Sequence, residues 1–487
     1  MRVFLIIVLF AINTNQLQAK IKVENFFNFK LNEFENLSPE IIKFYKKKKL
    51  IIVSENINNE LLFFNFDGSK NLNLKKKIKT YSESINSLDI CQSKNLLAVA
   101  IDQKLKVYSK GIVLIYDLDN LEILKQIVVG YNPDMLTFTE ECDYLFVVNE
   151  GEPNYKIQEN PPGSLTKINL NFKNQKIASI TSKEFFFNSS IELIGEIFSK
   201  EIINNRFVNF EPEYIALDED NFRVYISLQE NNAIAVFDYK LNKILYVKSL
   251  GLKSYSSCSI DLENDKSYSP IRSDKIFSTY EPDGIYYYNK KGTPLIFIAN
   301  EGEIKNNKET GHKNFNKDFL KLKNRNTKKF KTHQFSNVNK KVLFGSRSFS
   351  ILDLNIDLIW DSCDEIEKQV YYKNNFIHNS SKKNLRFDSS SPNNGPAPES
   401  ILVKEIFNKI FIFITLENSG GVIIYDFSEE YPVFQDYLTF KSKKEDNFYG
   451  LGPEGLELIN INNEAFFIVI ANEVSGDLSF FKITDSF

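Results

Sequence analysis

The chain has 487 residues, enough for one large domain or several ordinary ones. Hydrophobic residues make up 43% and charged residues 25%, which is typical of a globular protein with a large core. The formal net charge is only −3. The overall charge therefore gives no argument for binding to nucleic acid or to an anionic membrane surface.

The first 19 residues have the pattern of a secretory signal peptide. Arg2 gives a positive start, residues 4–12 form a short apolar run, and Ala19 lies at the expected cleavage site. The run is too short to span a bilayer, and no later segment has the length and apolar character of a transmembrane helix. We therefore expect an exported protein, periplasmic or secreted, without a transmembrane anchor.

From residue 39 onwards, one module recurs seven times. Each copy has a Pro followed by an acid, a strand, a short turn, a second strand, another acid and a third apolar strand. The second copy is degenerate, with Asn86 in the place of the Pro. The first acids of the other copies are Glu40, Asp134, Glu213, Asp283, Glu399 and Glu454. The second acids are Glu55, Asp102, Glu150, Glu230, Glu301, Glu417 and Glu473. This repeat predicts an all-β, seven-bladed β-propeller.

The two ends of the chain are expected to meet in the last blade. The seventh copy stops after its third strand, while residues 20–31 supply a spare strand ahead of the first copy. About residues 22–30 are expected to complete the last blade as its outer strand, which closes the ring and removes an exposed sheet edge. Residues 20–487 then form a single propeller. It carries two loop insertions, the first insertion at about 303–341 and the second insertion at about 364–396, and a helical candidate at 187–205.

Both acids of each copy are expected at one rim, close to the propeller axis. The first and second strands are antiparallel, so the start of one lies beside the end of the other, and the first strand is innermost. Crowded carboxylates repel one another and need cations, basic side chains or backbone donors. An oxygen-rich cluster with little His suits Ca²⁺ or Mg²⁺ rather than zinc. The alternative is structural, since an acid beside a Pro at a turn can simply bind backbone N–H groups.

The acids are most numerous in the third to fifth copies. The ligand-binding candidates there are Glu150, Glu152, Glu211, Glu213, Glu230, Glu281, Asp283 and Glu301. The candidate metal ligands are Glu150, Glu213, Glu301 and Glu303. Arg347 is a candidate counter-charge or anion contact, with an ordinary salt bridge as the alternative. No nucleophile constellation or phosphate loop appears, so no catalytic residue is assigned.

Four cysteines are present, and none has the spacing of a metal site. They are Cys91, Cys142, Cys258 and Cys363. In an exported protein they can form disulfides, but their spacing does not fix the pairing.

Several motifs together resemble the choice-of-anchor I family of exported propellers, which is itself similar to the mesenchyme-specific cell-surface glycoprotein. They are VVNEGEPN (147–154), PPGSLTKINL (161–170), residues 210–239, EPDGIYYY with FIANEGE (281–303), FGSRSFSILDL (344–354), LENSGGVIIYDF (416–427) and GPEGLELI with IANEVSG (452–476). The resemblance implies a seven-bladed propeller of the quinoprotein-like, YVTN-like type. Some relatives carry descriptions as alkaline phosphatases or phytases. After ANEGE (299–303) the family usually continues with acidic and Arg-containing residues, whereas this chain enters a Lys/Asn-rich segment.

Three functional hypotheses follow. The first is an exported soluble propeller that binds a ligand or a divalent cation, Ca²⁺ above all, at its acidic axial mouth. The second is a metal-dependent phosphoesterase, in which metal ions activate water and neutralise the phosphate. The third is an adhesion or scaffold module that contacts a protein or a cell surface. No interleaved basic and aromatic surface indicates a nucleic-acid partner.

Overall fold

The computed structural model describes residues 20–31, 37–80, 84–103, 109–153, 159–198, 210–305, 313, 315–320, 328–444, 447–462 and 464–486. The signal peptide expected over residues 1–19 lies outside this part of the chain. No helix among the described residues is long and apolar enough to cross a membrane.

Strands make up most of the described chain. They are β1 (Lys20–Lys30), β2 (Pro39–Tyr45), β3 (Leu50–Glu55), β4 (Glu60–Asn65), β5 (Asn73–Lys79), β6 (Ser84–Cys91), β7 (Leu96–Asp102), β8 (Ile112–Asp117), β9 (Ile123–Val128), β10 (Pro133–Phe138), β11 (Tyr144–Asn149), β12 (Ser164–Lys173), β13 (Lys176–Phe186), β14 (Glu192–Ile194), β15 (Ile215–Asp218), β16 (Arg223–Leu228), β17 (Ala233–Asp238), β18 (Lys243–Ser249), β19 (Lys253–Ser254), β20 (Ile276–Ser278), β21 (Pro282–Lys290), β22 (Thr293–Asn300), β23 (Phe315–Leu320), β24 (Lys328–His333), β25 (Lys341–Leu343), β26 (Phe349–Leu352), β27 (Leu358–Asp361), β28 (Pro398–Ile406), β29 (Lys409–Leu416), β30 (Val422–Asp426), β31 (Val433–Leu438), β32 (Ser442–Lys444), β33 (Asn447–Tyr449), β34 (Pro453–Asn460), β35 (Ala465–Asn472) and β36 (Asp477–Ser486). One α-helix, α1 (Glu365–Lys373), and two 3-10 turns, Lys46–Lys48 and Asn375–Ile377, complete the described elements.

Most of these strands belong to seven sheets of four or five strands within the described residues. Sheet 1 contains β2–β5, sheet 2 β6–β9, sheet 3 β10–β13, sheet 4 β14–β18, sheet 5 β21, β22, β26 and β27, sheet 6 β28–β31, and sheet 7 β34–β36 with β1. Successive strands pair antiparallel, and the fold is all-β. Consecutive four-stranded meanders of this kind are the units of a β-propeller.

The sheets pack face to face through apolar clusters. A cluster joins each sheet to the next, and one further cluster joins sheet 7 to sheet 1. The middle strands β3 and β29 are therefore buried on both faces and read as nearly continuous apolar runs. The outer strands β5 and β9 are mostly exposed, and Lys is frequent in β5.

Strand β1 gives sheet 7 its outer strand. It runs antiparallel to β36, with Val23 opposite Ile483 and Phe29 opposite Leu478. The ring of Phe27 stacks on Phe480, with ring centroids 4.2 Å apart. The pairing covers the edge of β36, in the position that the sequence suggested for residues 22–30.

The insertions contain more structure than expected from the sequence. In the second insertion, Ile366 and Val370 of α1 are buried in the cluster between sheets 5 and 6. In the first insertion, β23 and β24 form a hairpin, and β25 pairs with β20. Of the helical candidate at 187–205, the described part ends at residue 198 and forms no helix. Its strand β14 instead pairs parallel with β18.

The four cysteines form two disulfides. Cys91, the last residue of β6, pairs with Cys142 between β10 and β11, and thus joins sheets 2 and 3. Cys258 pairs with Cys363, which lies just ahead of α1. Two disulfides fit an exported protein.

Candidate functional site

A β-bulge at the start of the inner strand positions the first acid in five of the seven modules. In sheet 3, Pro133 lies opposite Asn149, but the next pair is Leu136 with Val147. The same shift follows Pro39, Pro282, Pro398 and Pro453. The bulge leaves the residue after the Pro outside the regular ladder. That acid therefore lies at the rim, beside the acid that follows the second strand.

Some rim acids are bound by the backbone and have a structural role. The carboxylate of Glu55 accepts hydrogen bonds from the backbone N–H groups of Ser38, Ile57 and Asn58, at 2.8–3.0 Å. Glu281 accepts one from the N–H of Glu303 and also contacts Nε2 of His333 at 2.8 Å. The structural interpretation therefore applies to these two acids.

A second group of acids surrounds a lysine. The carboxylates of Glu150, Glu211 and Glu230 offer oxygens within 4.8 Å of one another. Nζ of Lys305 lies 2.6 Å from Glu230 and 3.8 Å from Glu211, and it also contacts Glu152 and Glu303. Burial lowers the pKa of Lys305, but the surrounding carboxylates outweigh it and raise the pKa well above its ordinary value. We call Glu150, Glu211, Glu230 and Lys305 the Lys305 cluster.

A third group lies between sheets 5 and 6. Glu301 follows β22, Glu399 is the second residue of β28 and Glu417 follows β29. Their carboxylates also offer oxygens within 4.8 Å of one another. Nε2 of Gln229 donates to Glu301 at 2.7 Å, and Lys382 pairs with Glu417. With Asp283, whose side chain reaches that of Glu399, these three acids form the Glu399 cluster.

The two clusters are joined by a tight turn. Glu301 and Glu303 flank Gly302, whose φ is +84°. A Cβ at Gly302 would lie only 2.2 Å from the backbone N of Gly345. Only glycine fits where two backbone segments lie so close together. The turn therefore holds Glu301 in the Glu399 cluster and Glu303 beside Lys305.

The Glu399 cluster concentrates negative charge in a buried place. Burial raises the pKa values of Asp283, Glu301 and Glu399 well above their ordinary values, and repulsion from neighbouring carboxylates adds to this. Burial also raises the pKa values of Glu213 and Glu454, with the same repulsion as a further cause.

Tyr214 shows that acids from different sheets converge. Burial is the main cause that raises its pKa, and the charges of Asp283, Glu399, Asp134 and Glu454 raise it further. These four acids belong to sheets 5, 6, 3 and 7. Strand β28 also contacts both β21 and β34, so these inner strands adjoin a shared centre.

Two cavities adjoin this centre. One of about 510 Å³ lies beside the Glu399 cluster and is lined by Glu301, Glu417, Lys382, Asn394 and Asn418, among others. It gives solvent and small ligands access to the carboxylates of Glu301 and Glu417. The other, of about 540 Å³, follows the inner strands and is lined by side chains that include Tyr214, Tyr286, Lys43, Lys404 and Glu457.

Arg347, between β25 and β26, is buried against the second insertion. Its guanidinium donates to Oε1 of Glu367 at 2.6 Å and to the carbonyl oxygens of Asp261, Ser391 and Asn393. The side chain is 2% exposed. It therefore forms the salt bridge that was the alternative to an anion contact.

The structure also adds residues that the candidate set lacked. Glu399 and Glu417 occupy the repeated acid positions, so the repeat could have included them. Lys305 and Lys382 come from Lys-rich stretches in which no motif marks one lysine above another. Their role depends on how the insertions fold back over the rim.

Comparison with known proteins identifies one domain family. The model of the choice-of-anchor I domain matches residues 40–430. No curated protein matches the sequence.

Two solved structures are similar over most of the chain. The Cps50 (Swd1) β-propeller domain of Myceliophteria thermophila is 8% identical, with a TM-score of 0.46, over 93% of this chain and 99% of that one. Streptogramin B lyase is 9% identical, with a TM-score of 0.49, over 96% of this chain and 98% of that one. Identities this low carry no information on function.

Proposed function

The chain belongs to the choice-of-anchor I domain family, and from this we propose that it is an exported propeller module that binds a cationic ligand at the acidic rim of its inner strands. Its seven sheets act as the seven blades, and β1 closes the ring. The apolar cluster that joins sheet 7 to sheet 1 supports this closure, because it includes Ile42 of the first sheet with Phe467 and Phe480 of the last.

One observation carries the proposal. Five rim acids have no ion pair with a basic side chain in the part of the chain that the structure describes: Glu213, Asp283, Glu301, Glu399 and Glu454. They come from four neighbouring sheets. Carboxylates that are crowded and partly desolvated favour a bound positive charge over mutual repulsion.

The scaffold hypothesis accounts for the contacts of fewer rim acids. It requires each acid to be held within its own blade, as Glu55 is. The five acids named above are not held in this way. Their raised pKa values are the opposite of what backbone hydrogen bonds to a carboxylate produce.

A metal-dependent phosphoesterase is the second candidate. Lys382 and Lys383 line the same cavity as Glu301 and Glu417. A basic group opposite clustered metal ligands is what phosphate ester hydrolysis requires. Hydrolysis of p-nitrophenyl phosphate in the presence of Ca²⁺ or Mg²⁺ would support this role, and its absence would leave the binding role.

Titration calorimetry of residues 20–487 tests the binding role. The probes are CaCl₂, MgCl₂ and the diamine putrescine, at low salt. We expect at least one of these cations to bind, with an affinity that falls as NaCl is added, because exposed charges are screened. Glu454→Gln should weaken binding, whereas Glu464→Gln, on an exposed turn far along β34 from the rim, should not. Failure of all three cations to bind would contradict the proposed function.

A further inference from the structure

We propose that the Glu399 cluster is a binding site for one Ca²⁺ ion, with the carboxylates of Asp283, Glu301 and Glu399 as its protein ligands. The inference rests on the proposed function, since it names the cation and the place where it binds. Glu417 becomes a fourth ligand when Lys382 moves away from it.

The spacing of the carboxylates suits a cation of this size. Calcium binds oxygen ligands at about 2.3–2.6 Å, so two of its ligands can be at most about 5 Å apart. The oxygens that Glu301, Glu399 and Glu417 offer all lie within 4.8 Å of one another. One ion can therefore reach both Glu301 and Glu399, and the side chain of Asp283 reaches that of Glu399.

Two buried carboxylates in the cluster have oxygens without a hydrogen-bond partner. Asp283 is 7% exposed and Glu399 is 6% exposed. Oδ2 of Asp283 and Oε2 of Glu399 have no partner among the described residues. Burying such a group without a partner costs free energy. A cation between the two side chains satisfies both oxygens at once.

The Lys305 cluster provides an internal comparison. There, the one ammonium of Lys305 lies 2.6–3.8 Å from four carboxylates and offsets part of their negative charge; they belong to Glu152, Glu211, Glu230 and Glu303. In the Glu399 cluster, Lys382 pairs with Glu417 alone in the described part of the chain. In the Lys305 cluster, a lysine of the chain itself serves as the cation for the rim acids. In the Glu399 cluster, no basic side chain of the described residues forms an ion pair with Asp283, Glu301 or Glu399.

The ligand set favours Ca²⁺ over Mg²⁺ and Zn²⁺. All four groups are carboxylates, and Nε2 of His333 already contacts Glu281 at 2.8 Å. The carboxylates are attached at the ends of strands from two sheets. Calcium accepts varied geometry with six to eight oxygens, whereas Mg²⁺ demands a near-ideal octahedron. The adjoining cavity of about 510 Å³ has room for the remaining water ligands.

Calorimetric titration of Ca²⁺ into residues 20–487, and into four variants, tests the site. We expect one Ca²⁺ per chain in the wild type. Asp283→Asn and Glu399→Gln should each weaken binding by about tenfold or more, because even changes around a metal ligand cost about 10- to 100-fold in affinity. Lys382→Gln should tighten binding, because it removes a competing positive charge. Glu464→Gln should bind as the wild type does.

A second measurement separates a binding site from a merely structural cluster. Without Ca²⁺, Glu399→Gln should raise the melting temperature, because it removes repulsion between buried carboxylates. A large fall in melting temperature would show that the carboxylate stabilises the fold and would overturn the inference. Ca²⁺ binding that neither Asp283→Asn nor Glu399→Gln weakens would also overturn it, as would binding of putrescine but not of Ca²⁺. In those last two cases the proposed function would stand, whereas failure of every cation would end both.

Discussion

Glu55 and Glu417 occupy the same place in the repeat, after the second strand, yet they have different partners. Glu55 accepts three backbone N–H groups, whereas Glu417 pairs with Lys382 and faces Glu301 and Glu399. The motif places an acid at the rim in both cases. What the acid does there is decided by the neighbours that the loops and insertions bring to it.

The raised pKa values of the rim acids predict how stability depends on pH. Asp283, Glu301 and Glu399 have pKa values above their ordinary values of 3.8 to 4.5, so above that range the folded protein binds more protons than the unfolded chain. Stability then falls as pH rises, by about 1.4 kcal/mol per pH unit for each extra proton bound.

We therefore expect a higher melting temperature at about pH 5 than at about pH 7 in EDTA, with a smaller difference in Glu399→Gln. Excess Ca²⁺ should reduce the difference in the wild type by stabilising the ionised form. A melting temperature that rises from about pH 5 to about pH 7 in EDTA would contradict the raised pKa values of these three acids.

Lys305 is predicted to contribute more to stability than an ordinary surface lysine. Its side chain is 19% exposed, and its partners Glu211 and Glu230 are 2% and 6% exposed. Removing one partner of a buried ion pair leaves an uncompensated charge and costs about 3–5 kcal/mol. Urea unfolding of Lys305→Gln should show a loss of about 3 kcal/mol, at the lower end of this range, because the lysine is partly exposed.

Lys248 provides the matched control. It is 18% exposed, but its partner Asp357 is 67% exposed. Lys248→Gln should therefore cost less than about 1 kcal/mol. Equal losses in the two variants would show that the carboxylates of the Lys305 cluster do not depend on their lysine.

Among the elements, β1 has the clearest structural role. It joins the N-terminal part of the chain to its last sheet, covers the edge of β36 and stacks Phe27 on Phe480.

A chain that begins at residue 37 leaves this edge unpaired. Exposed edges pair with other chains. We expect the truncated protein to melt at a lower temperature and to self-associate in size-exclusion chromatography with light scattering, whereas Phe186→Ala, which removes a ring that is 40% exposed, should do neither. A truncated monomer with unchanged stability would contradict this role.

The repeat predicts the strands because each sheet is buried on both faces, and apolar runs such as that of β29 leave little choice. The insertions are harder to predict. Only Ile366 and Val370 mark the apolar face of α1, in a stretch that is otherwise polar. Near residue 191 the apolar spacing fits a helix as well as a strand, and pairing of β14 with β18 decides the outcome.

The site shows the same limit. The repeat places the acids at one rim, and several of the predicted residues do lie together there, including Glu150, Glu211 and Glu230. The pairing of Lys305 with these acids, and of Lys382 with Glu417, depends on long-range folding of Lys-rich segments. Local sequence carries no signal for such contacts.

At the scale of the whole molecule, composition conceals the charge distribution. The net charge is −3, yet acids from sheets 3 to 7 converge on one rim. Charges of one sign that lie close together attract ions of the opposite sign from solution. The attraction is stronger at low ionic strength. The rim can therefore collect cations even though the protein as a whole is nearly neutral.

A crystal structure of residues 20–487 grown with CaCl₂ would locate the cation independently of any variant. Anomalous scattering distinguishes calcium from water. We expect one strong peak at about 2.3–2.6 Å from carboxylate oxygens of Asp283, Glu301 and Glu399. A calcium peak in the Lys305 cluster with none between sheets 5 and 6, or no calcium anywhere at the rim, would contradict the assignment of this site.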